Sequence, residues 1–578
     1  MTATLTPASG AEATKGNSQN KGLIELALFA PYNEIVELLA SWNDWKPTPM
    51  TKGEDGWWRT KAELADGDYY YKFRVKSLSF FAMGKMLEAF DPYALQVTDE
   101  ASEAAILKVR GGERAWVEYE WKHDEVPLPV NRDLVIYEMH IGDFATKDGK
   151  KGQFKDTIEK LDYLRDLGIN CLELLPVKEF PGNGWGYSLR SLFAVENSYG
   201  PPEELCRLVD EAHARGMRVV IDGVYNHANS ESPLTKIAFE YWYYKDNPDG
   251  KDLDWGPKFN YAHYDEKYKV FPARKYVIES IQFWIEKFHI DGIRFDATRA
   301  IKDFNVMREL TDAAFAKING MKPFITIAEH VSEDPTITGR PNEGPMNAAW
   351  HDSFGKLLQA IITCHEREGH QPGNLDELET MSDPSKNGYK EGTRTINYIT
   401  SHDHDREMRM LGEEAKIFDD CAFRRCKLGA AILLTVPGIP MLWMGTEFGF
   451  AKEKSLDPRP LDWNLLKNQS NQDLLNITKA LAHIRRNNPA LRTDNFQVVL
   501  KDKERLLFGY KRWDGGGNVV LVVANIKDQP SGEFVIEKVG LEDGKWKDAI
   551  HGNEIKVEGG VLKDTLGASE VKIFIKQA

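Results

Sequence analysis

Hydrophobic and polar positions change rhythm twice along this chain. From Leu23 to about Val75 they alternate in short runs, LIELALFAP, IVELLA, GWWRTKAEL and DYYYKFRV, interrupted by the loop SWNDW and an Asp-Gly turn. Period-two alternation between turn signals predicts half-buried strands, so residues 21–110 are expected to form a β-sandwich. From Leu134 the runs become continuously apolar and are separated by amphipathic helical stretches. LVIYEMHIG, CLELLPV, RVVIDGVYNH and DGIRFD read as strands one to four; TIEKLDYLRDLGI, PPEELCRLVDEAHARGM and ARKYVIESIQFWIEKFHI read as helices between them. Gly168 closes the first helix, and the second has Pro at its start and Gly216 near its end, the usual helix asymmetry. Strands covered on both faces have no polar side to show, and strand-helix repetition predicts a parallel sheet that returns on itself as a closed barrel. Its expected bounds are residues 130–490, with a lobe inserted at about 228–273. The tail, with NFQVVL, LLFGYKRW, NVVLVVANI, GEFVIEKV and VKIFIKQ, alternates again and predicts a C-terminal β-sandwich over residues 491–578.

Composition narrows the function classes. A net charge of −15 over 578 residues argues against a nucleic-acid partner and against an anionic membrane surface. The five cysteines (Cys171, Cys206, Cys364, Cys421, Cys426) are odd in number and lack metal-ligand spacing, so neither a disulfide framework nor a cysteine metal site is expected. Residues 1–20 read as a disordered lead without an apolar signal region, and a cytoplasmic protein is the expectation. No cofactor is expected.

Four of the apolar runs end in acids: Asp222 in VVIDGVYNH, Asp296 in DGIRFDATRA, Glu329 in FITIAEH and Asp403 in INYITSHDHDRE. In a barrel of alternating strands and helices such C-terminal strand ends converge on one pocket. Arg294, two residues before Asp296, shares its strand face, and its guanidinium is expected to keep Asp296 ionised. A lone Arg-x-Asp is more often a buried ion pair; three matching acids change that reading. Glu329 ends the apolar run ITIA, where an apolar wall would raise its pKa. Glu138, His140, His404 and Asp405 lie near these ends by strand position alone and are assigned to the surroundings or the surface.

DGVYNH (Asp222–His227), GIRFD (Gly292–Asp296), the Glu of IAEH (Glu329) and SHD (Ser401–Asp403) resemble, in order, the four motif regions of glycoside hydrolase family 13, the α-amylase group. The N-terminal segment resembles a family-48 carbohydrate-binding module. The resemblance spans nearly the whole chain and implies an α/β fold: a (β/α)8 TIM barrel flanked by an N-terminal β-sandwich and a C-terminal all-β domain. It also implies retaining cleavage of α-1,4-glucosidic bonds in starch- or glycogen-type glucans, with Asp296 as nucleophile, Glu329 as acid/base and Asp403 as the third carboxylate. Tyr187, in the GWGYS turn, would stack on the sugar; His227 and His402 would bind its hydroxyls. Asp222 and Arg294 belong to the same substrate-binding set, and Asp222 and Asn226 are expected to order the site rather than react. Some family members bring calcium near the position of Asn226, but the short insert shows no calcium cage and no metal is expected. In the sandwich, Trp45 is the candidate to offer a flat face to a sugar ring.

Departures from the family pattern keep several activities open. Arg299 and Ala300 stand where many α-amylases carry a Lys-His pair, so leaving-side contacts must differ. SHDHD, and PMLWMGTEFG with LDW, are closer to glucan-branching and trehalose-releasing members, whereas RPLDW also resembles hydrolytic ones. α-Amylase-type hydrolysis leads, with branching transfer, trehalose release and debranching as alternatives. A catalytically silent glucan-binding protein is disfavoured by the intact acidic trio.

Overall fold

The computed structural model describes residues 20–98, 103–117, 119–147, 149–182, 184–250, 253–537 and 539–576. Of the expected disordered lead, residues 1–19 lie outside the described residues. Eight parallel strands close into a barrel: β1 (Ile136–Met139), β2 (Cys171–Leu174), β3 (Arg218–Gly223), β4 (Gly292–Phe295), β5 (Ile325–Ala328), β6 (Ala348–Trp350), β7 (Thr395–Asn397) and β8 (Ile439–Trp443), with β8 pairing back to β1. Every residue of these strands is buried, which is why their sequences run apolar without alternation. Among the polar exceptions, Glu138 lies beside Glu173 and Asp222 beside Arg294 in register.

Helices including Pro202–Ala214, Pro272–Phe288, Phe304–Ile318 and Asp419–Thr435 surround the barrel. The first expected helix is instead two, Phe154–Ile158 and Leu161–Leu167, separated by Glu159 and Lys160. The inserted segment contributes the helix Pro233–Trp242, and its buried Asp249 is ion-paired to both Lys258 and Lys302. Two ammonium groups on that carboxylate do not fit a calcium cage in the insert.

The N-terminal sandwich joins a three-stranded sheet (Lys21–Phe29, Trp57–Ala65, Thr51–Lys52) to a second sheet built around Gly67–Lys76. Trp58 and Tyr71 are core residues, whereas Trp45 is 40% exposed with the Lys72 ammonium over its ring. This sandwich docks on the inserted helix, where Leu78 N and Asn33 Nδ2 donate to the carbonyl of Ile237 at 3.0 and 3.1 Å. The C-terminal region forms a six-stranded and a two-stranded sheet, tied to the barrel by Arg425, which donates to the carbonyl of Ile526 at 2.8 Å. Among the described residues no helix is long and apolar enough to cross a membrane.

Candidate active site

Arg294 is the centre from which the site is built. It is fully buried on β4, and its Nη1 donates to both Asp222 oxygens at 2.9 Å and to Asp296 Oδ1 at 3.1 Å. Its Nη2 lies 3.2 Å from Glu329 Oε2. One guanidinium therefore holds the acids from β3, β4 and β5 together. Ala297, in the left-handed region at φ 47°, turns its backbone N–H onto Glu329 Oε2 at 2.7 Å. That conformation costs a non-glycine residue about 1 to 3 kcal/mol, the kind of local strain that functional sites hold.

Asp296, Glu329 and Asp403 line one cavity of about 410 Å³. Tyr187, His227 and His402 share the lining, together with Trp185, Trp255 and Leu456. The Tyr187 hydroxyl donates to Asp222 Oδ2 at 2.5 Å, and its ring stacks on His402 at 5.0 Å and 12°. The turn that presents Tyr187 needs glycine at 186, where φ is 90° and a Cβ would meet Pro176 at 2.8 Å. His227 donates from Nε2 to the carbonyl of Tyr187 at 2.8 Å.

Electrostatics sort the groups. Burial pushes Asp296 well above the ordinary carboxylate range, the neighbouring Glu329 adds to it, and Arg294 opposes. The expectation that the Arg294 guanidinium keeps Asp296 ionised is corrected by this setting: burial and the neighbouring Glu329 outweigh the guanidinium. Asp403 goes the other way. Burial raises it, but His402, Arg294 and Lys454 outweigh that and hold it at about 2. His402 loses from burial and gains more from Asp403 and Glu138, ending at about 9. Burial brings His227 down to about 4, leaving a neutral ring at pH 7.

The family profile described as "Alpha amylase, catalytic domain" matches residues 136–497. The chain belongs to the α-amylase family. A second profile, carbohydrate-binding module 48 (isoamylase N-terminal domain), matches residues 10–94 of this family member. Malto-oligosyltrehalose trehalohydrolase of Saccharolobus solfataricus is 34% identical over 381 residues, 61% of this chain but only 64% of that relative. The 1,4-alpha-glucan branching enzyme GlgB of Nocardia farcinica is 26% identical over 578 residues, 91% of this chain and 72% of the relative. A solved structure of pullulanase type I from Bacillus subtilis, complexed with maltose, superimposes with a TM-score of 0.77 at 20% identity, covering 99% of this chain and 86% of the other, a likeness of fold.

Within this α-amylase-family site, Asp222 and Arg294 sit beneath the cavity rather than on its lining, bonded to each other and to the residues above. Asn226 is buried, with its carbonyl accepting from Phe259 N at 3.1 Å. Arg299, at the departure from the family pattern, reaches the carbonyl of Val331 at 3.3 Å, outside the cavity lining. Sequence reasoning left out Trp185, Leu456 and Lys454, and placed Trp255 only within the inserted lobe expected over the pocket, without a role. Trp185 had a signal, its place in GWGYS beside Tyr187. Leu456 had only the oddity of an apolar residue in a polar loop, where it is 67% exposed. His140 bonds Asp143 and Tyr199 away from the cavity, as assigned.

Proposed function

We propose that this α-amylase-family protein is a retaining enzyme that hydrolyses α-1,4-glucosidic bonds of starch- or glycogen-type glucans and maltooligosaccharides. The observation that carries the reading is the single guanidinium of Arg294 holding Asp296 and Glu329 side by side on one cavity wall, with Asp403 on the same lining. Retention requires two carboxyl groups close enough to act on one anomeric carbon, about 5 to 5.5 Å apart in enzymes of this mechanism. Asp296 attacks C1 while Glu329 passes its proton to the leaving glycosidic oxygen. A glycosyl ester on Asp296 forms as the C1–O bond breaks. Water, losing a proton to Glu329, then attacks C1 and releases Asp296. The cycle needs one proton between the two acids, and the burial and crowded carboxylates that raise Asp296 oppose its ionising beside a second charged acid. Asp403, ionised, and the buried acids Asp222 and Glu138 supply negative charge against which an oxocarbenium-like transition state is stabilised. Tyr187, His227 and His402 hold the sugar.

A second reading keeps the same two acids and changes the acceptor or the substrate end. The 34% identity to a trehalohydrolase favours malto-oligosyltrehalose as substrate, and the 91% coverage by a branching enzyme favours a glucan hydroxyl in place of water. One assay separates these: reducing ends, iodine spectrum and free trehalose are followed on amylose, glycogen and malto-oligosyltrehalose, with Glu329→Gln as control. Hydrolysis raises reducing ends in step with bond cleavage. A changed iodine spectrum without new reducing ends would replace hydrolysis by transfer, and no turnover of any glucan would end the enzymatic reading.

A further inference from the structure

Glu138 lies on β1 beneath the cavity, 1% exposed, and spends both carboxylate oxygens on one residue. Oε2 accepts the backbone N–H of His402 at 3.1 Å and Oε1 accepts its Nδ1–H at 2.7 Å. With Nδ1 so committed, His402 directs Nε2 at Asp403 Oδ2, 3.5 Å away, while its ring stays flat against Tyr187. Asp403 in turn meets Lys454, whose Nζ is 3.4 Å from Oδ1 and donates to the Asp403 carbonyl at 2.7 Å. Acid, imidazole, acid and ammonium thus alternate from the barrel core to the loop after β8.

We infer that Glu138 is a positioning residue for the proposed glucan reaction: by gripping His402 at two points it fixes the ring's orientation and charge, and through the ring the aim of Asp403. Removing it would free the ring to rotate and leave Asp403 held from the Lys454 side alone. The groups facing His402 agree with this. Asp403 and Glu138 from β1 favour a cationic ring; burial, Arg294 from β4 and His404 oppose it, while Glu173 from β2, raised to about 8 by burial, is largely protonated at pH 7 and adds little. The first set prevails, with the ring at about 9. A hydrogen-bonded carboxylate behind a functional histidine acts the same way at metal and catalytic sites, and its loss typically costs roughly 10- to 100-fold. This inference rests on the proposed function.

The test uses the full-length chain with Glu138→Gln. The kcat on maltooligosaccharides is expected to fall about 10-fold or more with KM little changed, and the His402 ring to titrate below its wild-type position of about 9, towards the ordinary imidazole value of 6.5. A merely structural role would lower the melting temperature and leave the His402 titration in place, overturning the inference. NMR titration of the His402 ring, assigned by its loss in His402→Gln, supplies a readout independent of turnover. A ring still titrating near 9 in Glu138→Gln overturns the proposal. A wild-type protein that shows the high titration, loses it in the variant, yet cleaves no glucan supports the grip and overturns the glucan reading alone. If Glu138→Gln does not fold, Glu138→Asp keeps the charge but withdraws it by one methylene, and a smaller downward move of the His402 titration is expected; no move overturns the inference.

Discussion

Strand β4 carries an aspartate just before it and another just after it, and the two are treated in opposite ways. Asp291, at the N-terminal end, is fully buried; its Oδ2 accepts from Val219 N and bonds His213 Nε2, each at 2.8 Å, and its Oδ1 pairs with Lys322 at 2.8 Å. Burial would raise it, but Lys322, His213 and Arg218 bring it down to about 2. Asp296, at the C-terminal end, is almost as buried, yet three other acids, Asp222, Glu329 and Asp403, crowd about the same arginine and it is pushed well above its ordinary range. Donors outnumber carboxylates below; carboxylates outnumber cations above. The lower end of the barrel is organised for stability, and the upper end concentrates the carboxylates that the proposed reaction would use.

The largest expected effect lies above. Asp296→Asn and Glu329→Gln should each lower kcat at least about a thousandfold, because each removes a group that forms or breaks a bond in the proposed cycle. Steady-state rates on amylose against circular dichroism of the same samples would check this. Activity within tenfold of wild type in either variant would break the contrast between the two ends.

Below, Asp291→Asn should act on stability instead. It strands Lys322 and His213 beside a neutral amide, and breaking a buried ion pair by removing one partner costs about 3 to 5 kcal/mol. Urea unfolding would register the loss, while kcat per folded molecule should stay near wild type.

The two aspartates should also respond to pH with opposite sign. Asp291 is depressed from 3.8 to about 2, so its contribution is fully present above about 3.8 and fades as pH falls towards about 2. Asp296 is raised, so its ionisation opposes folding once pH exceeds the ordinary value of 3.8. Asp296→Asn is therefore expected to be more stable than wild type at pH 7 and to lose that advantage as pH approaches 4. An Asp296→Asn protein less stable than wild type at pH 7 would mean that Arg294 dominates Asp296 after all.

How far sequence could see this follows from the same strand. DGIRFD has an acid at each end, and only strand direction, inferred from the helix-strand alternation, marks Asp296 rather than Asp291 as the one facing the pocket. The barrel was legible because complete burial writes itself as apolar runs. β6 was not, since the three residues of Ala348–Trp350 are too few to show a period. The break at Glu159 and Lys160 was hidden because both residues suit a helix interior. Asp296, Glu329 and Asp403 were legible because each closes an apolar run, whereas Tyr187, His227 and His402 were legible through the motif resemblance, and all six line one cavity. Period two put Arg294 on the inward face with Asp296 but could not tell depth, so its place below the floor was not foreseen. Glu138, the one acid inside an otherwise apolar first strand, was placed near the site by strand position, but its two bonds to His402 could not be read from sequence. Trp255 and Leu456 reach the pocket from the inserted segment and from a polar loop, so only tertiary packing brings them there.

Trp255 gives the smallest and most specific effect at the upper end. Its ring is 46% exposed on the cavity lining and 5.8 Å from that of His227, so it is available to a sugar face without being part of the buried charge network. An aromatic contact of this kind is worth about 0.5 to 1.5 kcal/mol, a factor of roughly 2 to 10. Trp255→Ala is expected to raise KM for maltooligosaccharides by that factor, with kcat and unfolding midpoint nearly unchanged, because uniform binding is lost and no transition-state contact is. A fall in kcat comparable to that of Asp296→Asn would place Trp255 within the reacting set, and the division between a charged floor that reacts and an aromatic mouth that binds would have to be redrawn.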